Sequence, residues 1–142
     1  MQCGALGRRL GAVSVATCVV IAALLTGCSS NSSSKPAVCS DLDSLKASVQ
    51  DLKNTNVRSA GLSAVQDDLT KIKQQLQAVE TSAKGQYAPQ IADLNTAIGK
   101  LTTSIDAAKV SLNAGTLSAV ASAAGSVVSS GQNLVTAVSN AC

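Results

Sequence analysis

Residues 62–83, LSAVQDDLTKIKQQLQAVETSA, place Leu62, Val65, Leu69, Ile72, Leu76, Val79 and Ala83 at alternating spacings of three and four. Apolar side chains at that spacing share one face of a helix of 3.6 residues per turn, whereas a half-buried strand alternates every second residue. Between them stand Asp, Gln, Lys, Thr and Glu, so the segment reads as an amphipathic helix that needs a core to pack on. Asp67 with Lys71, and Glu80 with Lys84, stand four residues apart and are expected to pair on its outer face.

Outward from this helix the same habit continues. Toward the C-terminus, residues 85–89 (GQYAP) are a break, because Pro89 cannot continue a hydrogen-bonded ladder but suits the first turn of a new helix. A helix is then expected through Ile91, Leu94, Ile98, Leu101, Ile105, Ala108 and Leu112, with Asn113-Ala114-Gly115 as its stop and Thr116 as the next N-cap. Toward the N-terminus, Ser40 is expected to cap a helix carrying Leu42, Leu45, Val49 and Leu52, with Asp43 as a weak capping-box partner. Residues 54–61, Asn54-Thr55-Asn56 through Gly61, are poor helix formers and lose the phase.

Residues 117–140 differ in kind. Leu117, Val120, Ala124, Val127, Gly131, Leu134 and Val138 keep the seven-residue period, Ala121, Val128 and Val135 widen the apolar face, and no charged side chain occurs from Val110 to Cys142. Ala121, Gly125 and Ser129 repeat small side chains every fourth residue, which permits close helix approach. Frequent Ser together with Gly131, Gln132 and Asn133 argue against a membrane span, so a helix largely covered by its neighbours is expected.

The fold class that follows is all-α, an antiparallel up-down four-helix bundle over residues 39–142. Cys39 and Cys142 test it. Four helices in up-down order return the chain to the face where it began, so these two cysteines can meet in a disulfide. Three helices, with the first two fused, would leave them a helix length apart, far beyond the roughly 7 Å between α-carbons that a disulfide spans. Two free thiols, or an intermolecular bridge, are the alternatives.

The start of the chain has a separate logic. Arg8 and Arg9 precede an uncharged run from Leu10 to Leu25, the charged and apolar regions of an export signal. The run falls short of the about 20 apolar residues that span a bilayer. Leu25-Thr26-Gly27-Cys28 follows at once and resembles the lipobox of bacterial lipoproteins. That resemblance implies cleavage between Gly27 and Cys28, with the thiol of Cys28 carrying a diacylglyceryl group. The expected parts are a signal peptide at 1–27, a lipidated Cys28 with a Ser-rich tether at 28–38, and the bundle at 39–142. An ordinary signal with a chance cysteine, or an uncleaved N-terminal anchor, is the plainer alternative. Gly27-Cys28-Ser29-Ser30-Asn31 followed by heptads is also similar to the start of the murein lipoprotein family. That family ends in a Lys joined to peptidoglycan, where this chain has Asn140-Ala141-Cys142.

Charge and composition narrow the function classes. Of 11 basic residues two leave with the signal, so nine face 8 acidic ones. A nearly neutral domain offers no basic field, and nucleic acid is not an expected partner. With no Phe, Trp or His and one Tyr, the core must be Leu, Ile, Val and Ala. The absence of histidine removes Ser-His-Asp and Cys-His catalysis and histidine metal ligation, and no CxxC supplies a zinc or redox pair. Gly99-Lys100 lacks the pattern of a phosphate loop. Asp67 and Asp68 point in different directions from one helix, and their bland reading is a solvated or ion-paired surface. Tyr87 is a candidate ligand contact, though a lone corner tyrosine more often packs its ring and wets its hydroxyl.

No catalytic residue, metal or cofactor is expected. The resulting expectation is a non-enzymatic lipoprotein on the extracytoplasmic face of the cell membrane, held by the lipid on Cys28, with a binding or structural role in the envelope. Its helical faces would serve as an internal core or meet a protein partner or a second copy. A carrier of a lipid or other apolar ligand, and a phage-type superinfection-exclusion lipoprotein, are the alternatives.

Overall fold

Each apolar line read above becomes the inward face of a helix. The computed structural model describes residues 35–142, so the expectations on residues 1–27, on Gly27 and Cys28, and on most of the tether lie outside the described residues. Four helices follow in order: α1 (Ala37–Asn54), α2 (Val57–Ala83), α3 (Ala88–Val110) and α4 (Ala114–Ser139). Each packs on its successor, α4 returns against α1, and the α2–α3 seam is the thinnest of the four. This is the antiparallel four-helix bundle, and α1 and α2 are separate helices rather than one.

The core holds no aromatic ring. Leu45, Ile72, Leu94, Leu101, Ile105, Leu134 and the valines at 65, 79, 120, 127 and 138 are fully buried, and only the half-buried Tyr87 adds a ring at the edge. Dispersion must then come from many close aliphatic contacts, which require helices to approach tightly. At Gly131 that approach is visible: a β-carbon there would stand 2.7 Å from Val49 Cγ2.

The structure departs from the sequence reading in several places. First, α1 starts at Ala37 behind Pro36, with no side-chain cap, and Ser40 instead turns its hydroxyl to the Ala37 carbonyl at 2.9 Å. Asp43 pairs with Lys35 rather than closing a capping box. Burial of Cys39 (1 % exposed) and packing of Val38 on the core draw the first turn into the fold earlier than the polar residues suggest.

Second, the interruption at 54–61 is two breaks around one helical turn. Thr55 is extended and Asn56 caps α2 by accepting from Arg58 N at 3.0 Å. Gly61 then kinks the chain at φ 83°, ψ 172°, a conformation open to glycine. Third, α3 stops at Val110, not Leu112, and these two side chains are 90 % and 69 % exposed. The N-cap of α4 is Asn113, not Thr116. Asn113 Oδ1 accepts from Thr116 N at 3.0 Å and Thr116 Oγ1 accepts from Asn113 N at 3.1 Å. This reciprocal pair satisfies two otherwise orphaned amides and takes Ala114 and Gly115 into the first turn.

Fourth, α4 is not largely covered. Val120, Ala124, Val127, Gly131, Leu134 and Val138 are buried, but Ala121, Gly125 and Ser129 are exposed, so the small-residue repeat is not what brings the helices together. The expected ion pairs on α2 also change. Lys71 meets Asp68 at 3.6 Å instead of Asp67. Lys84 leaves the helix in a left-handed conformation (φ 49°) and forms no ion pair with Glu80.

Candidate functional site

Helix length creates a concavity. Cys39 and Cys142 are joined by a disulfide with α-carbons 5.9 Å apart, which levels α1 and α4 at one end of the bundle. From that end α1 runs 18 residues and α4 runs 26, about 27 Å against about 39 Å at 1.5 Å per residue. The far end of α4 is therefore uncovered by α1. The α1–α2 corner only partly fills the space, because Thr55 and Asn56 turn the chain and Gly61 redirects it.

What remains is a groove of about 670 Å³ between the corner and the first half of α4. Its α4 side is Leu117, Ser118, Ala121, Gly125 and Val128, and its corner side includes Leu52, Val57, Lys53 and Arg58. Leu52 and Val57 are buried beneath it, Leu117 and Val128 are half-buried, and Lys53 and Arg58 are exposed on its rim. No carboxylate lines it. Among the described residues neither Lys53 nor Arg58 is in an ion pair. A smaller hollow of about 290 Å³ continues along the α1–α4 seam between Lys46, Gln50 and Lys53 on one side and Gln132, Val135 and Thr136 on the other.

A buried carboxylate holds the corner in place. Asp68 is 7 % exposed; its Oδ2 accepts from Thr55 Oγ1 at 2.6 Å and its Oδ1 lies 3.6 Å from Lys71 Nζ. The Thr55 hydroxyl also faces the Asp51 carbonyl at 3.0 Å, but it has one hydrogen, and the shorter contact to a charged acceptor is the stronger one. The Asp51 carbonyl keeps the Thr55 amide, also at 3.0 Å. Asp68 thus fixes the turn that forms one wall of the groove. Asp67, its exposed neighbour, takes no part, so the two adjacent carboxylates do diverge as the helix geometry requires.

The other residues marked in the sequence fall elsewhere. Tyr87 sits at the α2–α3 corner, at the disulfide end and away from the groove, where its ring packs on the core and its backbone is left-handed at φ 62°. Among the described residues no cluster of three or more His, Cys, Asp or Glu could hold a metal ion, and no helix is long and apolar enough to cross a membrane. The Lys35 ammonium, by hydrogen bond and by charge, holds the Asp43 carboxyl below its ordinary range.

The groove residues were missed in the sequence because Leu52, Arg58, Leu117 and Val128 share no local pattern. Asp68 did leave a signal. It lies three residues after Val65 and four before Ile72, on the apolar face itself. No protein-family model matches the chain, and no curated protein or solved structure is detectably similar to it.

Proposed function

We propose that the chain is an extracytoplasmic lipoprotein, cleaved before Cys28 and held on a membrane by the lipid on that residue, whose bundle acts by binding rather than catalysis. The observation that carries this reading is the Cys39–Cys142 disulfide, which joins residues 103 apart in the sequence. Such a bond persists in an oxidising compartment and is rare in a reducing one. It agrees with the basic pair, apolar run and lipobox that precede it in the sequence. Two or more acyl chains on Cys28 would make the attachment firm without a membrane span.

The lining of the groove supports a binding role. Its side chains are aliphatic, amide, hydroxyl and cationic, with no general base or activated nucleophile among them. Growth with an alkyne-tagged palmitate, followed by intact-mass analysis under non-reducing conditions, tests the reading. The expected product starts at Cys28, carries the label, and has no alkylatable thiol. Cys28→Ser should abolish the label and the cleavage together. An unlabelled chain that retains residues 1–27 would overturn the proposal.

A further inference from the structure

We infer that the groove between the α1–α2 corner and α4 takes a long-chain fatty-acid anion, with its carboxylate at Lys53 and Arg58 and its chain along α4. The inference rests on reading the bundle as a binding module, but not on the anchor at Cys28.

Charge fixes one end of the ligand. Lys53 and Arg58 face the groove without an acidic partner, and no carboxylate lines it. The nearest buried acid, Asp68, is committed to Thr55 and Lys71. A neutral ligand would leave both cations unused, and a cation would be repelled.

Shape and hydrogen bonding fix the rest. From Leu117 to Val128 the α4 side of the groove presents aliphatic or small side chains, and at Gly125 nothing lies within 4 Å of where a β-carbon would stand. This track is about 17 Å long at 1.5 Å per residue. An extended peptide laid there would need partners for its amides. Two groups of the corner are already engaged: the Thr55 hydroxyl goes to Asp68 and the Asn56 carboxamide oxygen to Arg58 N. An acyl chain asks for no such partners. The groove's 670 Å³ falls within the range of roughly 300–1,000 Å³ usual for small-molecule sites.

The test uses the full acylated protein in nanodiscs of zwitterionic phospholipid and, as probe, a sixteen-carbon fatty acid bearing a diazirine near its methyl end. Photolabelling should fall on the peptide containing residues 117–128 and be competed by palmitate but not by hexadecanol. Lys53→Ala with Arg58→Ala should weaken labelling at least about tenfold, the loss of one or more charge-assisted hydrogen bonds. Gly125→Leu should fill the track and block labelling while thermal melting is retained, since the new side chain enters open space. Labelling elsewhere, equal competition by hexadecanol, or indifference to both variants would overturn the inference. The anchor is read on the peptide bearing Cys28 and the groove on α4, so either reading can fail alone.

Discussion

Gly131 of α4 and Val49 of α1 approach so closely that an added β-carbon on Gly131 would lie 2.7 Å from one Val49 methyl and 3.2 Å from the other. Val49 is 2 % exposed and, being β-branched in a helix, is stiff at χ1, so it cannot turn aside. Two effects compete in Gly131→Ala. Alanine gains about 1 kcal/mol of helix propensity, while overpacking costs about 1–3 kcal/mol. The contact should win, giving a net loss of about 1 kcal/mol in urea unfolding. Gly125→Ala makes the same helix change in open space and should instead stabilise by about 0.5–1 kcal/mol. Val49→Ala should cost less in the Gly131→Ala background than in the wild type, a non-additivity that assigns the cost to this contact.

The disulfide closes a loop spanning nearly the whole bundle, with a sequence separation of 103. In the loop-entropy account a closure of that length contributes about 4–5 kcal/mol, a large share of the about 5–15 kcal/mol typical of a small domain. Cys142→Ser, or reduction of the native chain, should therefore lower the thermal midpoint strongly and to a similar extent. Circular dichroism before the transition should stay helical, because the core contacts do not pass through the bond. Identical melting of oxidised and reduced protein would show that the bond contributes nothing.

The inward lines of all four helices were legible because a buried face leaves a periodic mark. Val65, Leu69, Ile72, Leu76, Val79 and Ala83 are all buried as that period requires. Helix ends were less legible, since capping depends on which of several polar residues wins. Asn113 outcompetes Thr116 only because Thr116 can return the bond from the third helical position. The groove was not legible at all. It arises from a difference in length between α1 and α4, a relation between distant segments that no local spacing encodes. Charge gave a partial hint, for residues 110–142 carry none; the exposed face of α4 is accordingly uncharged, where a helix largely covered by its neighbours was expected.

Lys35 and Asp43 form an exposed ion pair across the start of α1. The Lys35 hydrogen bond and charge lower the Asp43 pKa, with a smaller contribution from the charge of Lys46. A depressed carboxylate pKa adds stability that is present above the pKa of the unfolded chain and is lost as pH falls through the folded value. Solvent exposure of both side chains keeps that contribution small. Carboxyl-carbon NMR titration should show Asp43 titrating below a free aspartate, and Lys35→Ala should move it up toward the ordinary range. An unchanged titration in that variant would remove Lys35 as the cause.

Thr55 and Asp68 offer the sharpest contrast between neighbouring residues. Asp68 is nearly buried and its carboxylate is held by the Thr55 hydroxyl at 2.6 Å and by Lys71, whereas Asp67 is exposed. Removing one partner of a buried charge-assisted bond costs about 1–3 kcal/mol, because the other is left desolvated and unpaired. Thr55→Val and Asp68→Ala should each fall in that range, while Asp67→Ala should stay within about 0.5 kcal/mol of wild type. The pair should also be strongly coupled in a double-mutant cycle, since the second substitution removes a group already orphaned by the first. Because this bond sets the corner that walls the groove, Thr55→Val should also raise hydrogen exchange at the amides of residues 55–60 more than in α3. Equal exchange in both segments would separate the stability of the corner from the shape of the groove, and place the control of that shape on Gly61 instead.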